Sequence, residues 1–138
     1  MKTAVRYFSR SGNTKKLADA VAAAAGTTAE SIEKDLPEKA DIVFLGNSLY
    51  AGKYDPAVEA FLNRNADKIG LLVSFGSSAS GKTTLKKLTA YAETKGIRVC
   101  NKAYNCPGHF LFLHKDRPNE NDCKEAAAFA SEILESCK

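Results

Sequence analysis

Six consecutive residues, Ser9-Arg10-Ser11-Gly12-Asn13-Thr14, gather hydrogen-bond donors immediately behind a short apolar run, Val5 to Phe8. Leu17, Ala18, Val21, Ala22 and Ala25 then recur at helical spacing, so a helix begins near Thr14 and directs its unpaired N–H groups back into the polar stretch. That arrangement suits an anion. The helix dipole favours negative charge at this end, Ser9, Ser11, Asn13 and Thr14 carry donors, and Gly12 lets the backbone wrap closely. Arg10 is either a direct partner of the anion or a solvated loop residue, and the bland alternative for the whole stretch is a capped strand-to-helix turn.

A second candidate is Gly76-Ser77-Ser78-Ala79-Ser80-Gly81-Lys82-Thr83, which matches the nucleotide-binding pattern G-x-x-x-x-G-K-[ST] and lies between strand-like and helix-like segments. Chemistry at such a loop also needs an acidic residue ending a neighbouring strand to hold Mg²⁺. The following strand candidate runs into Asn105 and Cys106, and Asp41 precedes its strand instead of ending it. A P-loop nucleotide-binding protein is therefore the least favoured of the readings kept.

The elements that position these residues alternate. A first strand and its helix, closed by Gly26, are followed by a weak strand candidate at Thr28 to Glu33, suited to a sheet edge. Ile42 to Leu45 is a continuous apolar run ending at Gly46, the pattern of a central strand buried on both faces. Asn47 to Tyr54 reads as a loop, Asp55-Pro56 as a helix start, and Val58, Phe61 and Leu62 as the inner stripe of that helix. Ile69 to Phe75 is the next strand, with Gly76 to Gly81 a loop and Leu85, Leu88 and Ala92 on a helix ended by Gly96. Ile97 to Ala103 is a fifth strand, Cys106 to Pro118 an irregular excursion, and Ala126, Phe129, Ala130, Ile133 and Leu134 line a last helix. Strands alternating with helices give an α/β fold, a doubly wound parallel sheet of five strands with helices on both faces. Its ligand belongs beyond the carboxyl ends of the strands, where the loops 9–14, 47–54 and 75–81 converge.

Composition limits the rest. The 138 residues, 44% hydrophobic, suit one domain, residues 1–138, with a core that needs no metal or disulfide. Twenty Lys and Arg against sixteen Asp and Glu give +4, but the cationic residues are scattered, so no nucleic acid is expected as a partner. Cys100, Cys106, Cys123 and Cys137 show no paired spacing and no leader precedes the first strand, so reduced thiols in a cytoplasmic protein are expected. Cys106, His109, His114 and Cys123 match no familiar ligand pattern, and no metal site is expected. No apolar run approaches the ~20 residues of a membrane span.

The residues Ser9, Gly12, Thr14, Ala18 and Val21, with Tyr7 before them, resemble the phosphate loop and following helix of the flavodoxin family. Gly46 to Gly52 is similar to that family's first flavin-ring loop and Phe75-Gly76-Ser77-Ser78 to its second, so the resemblance spans the chain. It implies a flavodoxin-like sheet of order 2-1-3-4-5 that binds FMN and carries electrons to redox partner proteins. The implied cofactor-binding residues are Ser9, Arg10, Ser11, Gly12, Asn13 and Thr14 on the phosphate, and Ser48, Leu49, Tyr50, Ala51, Gly52, Phe75, Gly76, Ser77 and Ser78 around the ring. Tyr50 stacks on the flavin in this reading, backbone groups of Ala51, Gly52, Gly76 and Ser77 face its polar edge, and Tyr54 belongs to the helix entry. No residue is assigned a catalytic role. The alternative is an FMN-dependent oxidoreductase acting on a quinone, porphyrinogen or similar small planar substrate, with Lys53, His109 or His114 beside the flavin. Two departures stand out: Arg6 replaces an aliphatic or aromatic residue in the first strand, and the second ring loop lacks a stacking aromatic.

Overall fold

A computed structural model describes residues 1–8, 12–49, 54–78, 85–107 and 118–137. Strand β1 (Thr3–Tyr7) leads to helix α1 (Asn13–Ala25), and β2 (Ala29–Ser31) follows. Next come β3 (Ala40–Leu49), α2 (Pro56–Asn65), a 3₁₀ turn at Ala66–Lys68 and β4 (Ile69–Ser78). The chain continues through α3 (Leu85–Thr94), β5 (Arg98–Val99) and β6 (Tyr104–Pro107) to α4 (Glu120–Ser136). The sheet runs β2-β1-β3-β4-β5, every pairing is parallel, and β6 also pairs with β4. The weak strand after α1 lies at the edge, as its sparse apolar content predicts, and β3 is central.

Both faces of the sheet are covered, which explains the continuous apolar runs of β3 and β4. Val5, Phe44, Val73 and Phe75 share one core with Leu17, Val21, Ala126, Ala130 and Ile133 of α1 and α4. Val43, Leu45 and Leu72 share the other with Val58, Phe61, Leu62, Leu88 and Ala92 of α2 and α3.

Helix ends follow their sequence signals. Gly26, in the left-handed region, closes α1 while the amide of Thr27 donates to Ala22 O at 2.9 Å. Asp55 caps α2 by accepting the Ala57 amide at 2.9 Å, with Pro56 in the first turn. Asn119 and Asp122 form a reciprocal capping box on α4.

Four expectations need correction. Asn47, Ser48 and Leu49, expected as loop, are strand, because they pair in register with Gly76, Ser77 and Ser78. Gly76, Ser77 and Ser78, also expected as loop, belong to β4, and Cys106 and Pro107 belong to β6 instead of an irregular excursion. The fifth strand is also interrupted. Leu72 faces Val99 and Phe75 faces Tyr104, so the chain beside β4 holds two extra residues over that interval and breaks around exposed Asn101 and Lys102.

Arg6, unusual in an interior strand, is 5% exposed. Its guanidinium donates to the carbonyls of Lys34 (2.9 Å), Val5 (3.1 Å) and Asp35 (3.4 Å). Burial lowers its pKa, opposed by Glu30 and Asp35. The same connection is held by Arg64 on Ile32 O (3.1 Å), Lys68 on Leu36 O (3.0 Å) and buried Asn65, which accepts the Leu36 amide at 2.9 Å. Four carbonyls of the irregular run from β2 to β3, those of Ile32, Lys34, Asp35 and Leu36, thus accept from side chains of β1, α2 and the 3₁₀ turn.

Candidate functional site

The carboxyl ends of β1, β3 and β4 lie side by side, and α1 starts above them. Gly12 is the N-cap of α1 at φ 86°, a conformation a residue with a Cβ resists. It supplies no side-chain cap, and no acidic residue occupies the first turn. Asn13 and Thr14, the first two helical residues, are 8% and 0% exposed.

Thr14 is met from the sheet. Its Oγ1 lies 3.4 Å from Ser77 Oγ on β4, and either hydroxyl can donate. A Cβ placed on Gly46 would come within 2.6 Å of the Phe75 ring and 3.0 Å of Thr14 Cγ2, so the missing side chain of β3 is the space in which ring and methyl sit. One position on, a Cβ on Gly76 would overlap the Asn47 carbonyl oxygen. Both glycines work by absence, letting β3, β4 and the start of α1 close up.

Gly12, Asn13, Thr14, Phe75, Gly76 and Ser77 are therefore brought to one end of the sheet, with Phe75 fully buried in the core beneath. Ser48, Leu49 and Ser78 are placed there by the backbone register of β3 and β4. Ser9, Arg10, Ser11, Tyr50, Ala51 and Gly52 lie outside the described residues, as do Lys53, Lys82, His109 and His114. The Thr14–Ser77 contact and the clearance at Gly46 were not visible in the sequence, since both join residues far apart in the chain. The end of the apolar run at Gly46 was the only hint.

Tyr54 is a helix-entry residue, as expected. Its hydroxyl donates to Glu59 Oε2 at 2.5 Å, and the ring packs on the core beneath α2 and α3. Burial first, and then the Glu59 carboxylate, push its phenol well above the ordinary range.

The competing nucleotide motif fares poorly. Gly76, Ser77 and Ser78 are held as strand from both sides, by Asn47 to Leu49 of β3 and Asn105 to Pro107 of β6, so they are not a loop around a phosphate. Asp41 lies near the amino end of β3, accepting the Lys2 amide at 2.8 Å. Among the described residues no group of three or more His, Cys, Asp or Glu could hold a metal ion. Among them, too, no helix is long and apolar enough to cross a membrane.

A profile of the flavodoxin domain matches residues 4–98. The chain belongs to the flavodoxin family. It is also 31% identical over 150 residues to the uncharacterized protein MJ0298 of Methanocaldococcus jannaschii, covering 99% of this chain and all of that one. Among solved structures, a flavodoxin from the domain Archaea superimposes with a TM-score of 0.76 at 20% identity, covering 99% of this chain and 98% of that one. A flavoprotein from Lactobacillus acidophilus in complex with FMN gives 0.62 at 16% identity over 75% of this chain and 92% of its own. The flavodoxin-like fold implied by the resemblance, with sheet order 2-1-3-4-5, is the fold observed.

Proposed function

We propose that this protein binds FMN non-covalently at the carboxyl ends of β1, β3 and β4 and passes electrons between redox partners. The observation that carries the reading is the set of buried polar groups Asn13, Thr14 and Ser77, gathered at a helix N-terminus whose cap is glycine and whose first turn has no carboxylate. This end of a helix favours an anion, and the hydroxyl and amide groups around it are donors suited to one. A terminal phosphate fits that setting.

Ser9, Arg10, Ser11, Gly12, Asn13 and Thr14 would hold the phosphate, Tyr50 would cover the ring, and backbone groups at Ala51, Gly52, Gly76 and Ser77 would meet its polar edge. Ser48, Leu49, Phe75 and Ser78 complete the surroundings. The flavin supplies the redox chemistry when bound; the chain orients it, limits water and sets its potential. Partner identity then depends on the surface around the site, which belongs to a chain of net charge +4.

The test is to reduce the FMN-loaded protein under anaerobic conditions and mix it with an oxidised one-electron acceptor protein. Stoichiometric transfer supports a carrier. Transfer only to a small quinone or another planar molecule would favour an enzyme with its own substrate.

A further inference from the structure

Ser77 lies on β4, sixty-three residues along the chain from Thr14 and outside the loop that contains the anion-binding pattern, yet its hydroxyl faces Thr14 at 3.4 Å in a buried setting. We propose that Ser77 is a positioning residue of the phosphate grip, acting through Thr14, and that Gly46 fixes the side-chain orientation in which it does so. The proposal rests on the FMN reading above.

Two observations point the same way. The Thr14 methyl occupies the clearance over Gly46, beside the Phe75 ring, and with Cγ2 fixed there the hydroxyl of this β-branched residue is directed toward Ser77. Thr14 is also the second residue of α1, at the turn whose N–H groups face the site. A threonine hydroxyl has one proton and two lone pairs. If a phosphate oxygen takes that proton, the contact with Ser77 can only run from Ser77 to Thr14. A hydroxyl that accepts one hydrogen bond donates a stronger one, so Ser77 both aims and polarises the Thr14 donor. At 3.4 Å the contact is long for two hydroxyls, and binding of the anion gives it its direction.

The experiment measures dissociation constants for FMN and for riboflavin, which lacks the phosphate, on the flavin-free full chain. Wild type is compared with Thr14→Val, Ser77→Ala and the double variant. Thr14→Val should weaken FMN and leave riboflavin nearly unchanged. Ser77→Ala should lower the FMN-to-riboflavin preference roughly 3- to 10-fold, the range of a net hydrogen bond, and should add no further loss on top of Thr14→Val. Ser77→Cys keeps the volume with a poor donor and should lose the same preference, which guards against a folding defect in the alanine variant.

Equal losses for both flavins, or an undiminished loss in the double variant, would assign Ser77 a structural or independent role and overturn the proposal. An unchanged preference in Ser77→Ala with a large loss in Thr14→Val would overturn it while sparing the FMN reading. No effect of Thr14→Val would remove the phosphate reading itself, and the proposal with it.

Discussion

The carbonyl oxygen of Asn47 occupies the space that a side chain on Gly76 would need, so β3 and β4 meet backbone to backbone where the site begins. Gly76→Ala must push the two strands apart, because the obstacle is main chain and has no rotamer to change. Overpacking of this kind costs about 1–3 kcal/mol or more. Urea unfolding should show the loss, and flavin affinity should fall with it; a variant of wild-type stability would show that the strands do not meet in this way.

Arg6 supports the connection between β2 and β3. Arg6→Met fills much of the same space but leaves the carbonyls of Lys34 and Asp35 without a donor. Both bonds are only part-buried and water can replace them in part, so the net loss is roughly 0.5–1.5 kcal/mol per bond. The midpoint of urea unfolding should drop while the ratio of FMN to riboflavin affinity stays at its wild-type value, since Arg6 holds chain structure and not ligand.

Asp35 gives a pH dependence with a definite sign. Hydrogen bonds from Arg64 and then Asn65 hold its carboxyl below the ordinary range. Its contribution is therefore fully present above the unfolded value, about 3.9, and is lost as pH falls through the lower folded value. Asp35→Asn should remove this small contribution near neutrality and flatten the acid limb of stability against pH below about pH 4, so that the two proteins converge in acid. Unfolding curves between pH 2.5 and 5 would detect it, and identical slopes for the two proteins would contradict the pairing. The side chain is largely exposed, so the effect is small.

The four thiols are free and differ in access: Cys137 is exposed, Cys100 and Cys123 are half-buried, and Cys106 is buried. Burial, and then the Asp122 carboxylate, push the Cys123 thiol up, which lowers its thiolate fraction. A thiol reagent at pH 8 should label Cys137 first, Cys123 slowly, and Cys106 only as the protein unfolds. Rapid labelling of Cys106 in the folded state would place β6 elsewhere.

Much of this was legible beforehand because the signals were local. Continuous apolar runs at Ile42–Leu45 and Ile69–Phe75 marked strands buried on both faces, and Gly26, Asp55-Pro56 and Gly96 marked helix ends. Strand ends were misjudged where polar residues continue a strand. Asn47 to Leu49 and Gly76 to Ser78 look like loop, yet each supplies the other's pairing partner, a fact held by register and not by composition. The break between β5 and β6 escaped for the same reason. At the site, Gly12, Asn13 and Thr14 were readable from the strand-to-helix junction, whereas the contact of Thr14 with Ser77 depends on how two distant segments pack.

The central claim is that the polar junction between β1 and α1 holds the phosphate of FMN. Calorimetric titration of the flavin-free protein with FMN, riboflavin and ATP with Mg²⁺ tests it most directly. One FMN should bind per chain, more tightly than riboflavin and far more tightly than the nucleotide. Tighter binding of ATP with Mg²⁺, abolished by Lys82→Ala, would contradict the account and return the function to the Gly76 to Thr83 motif.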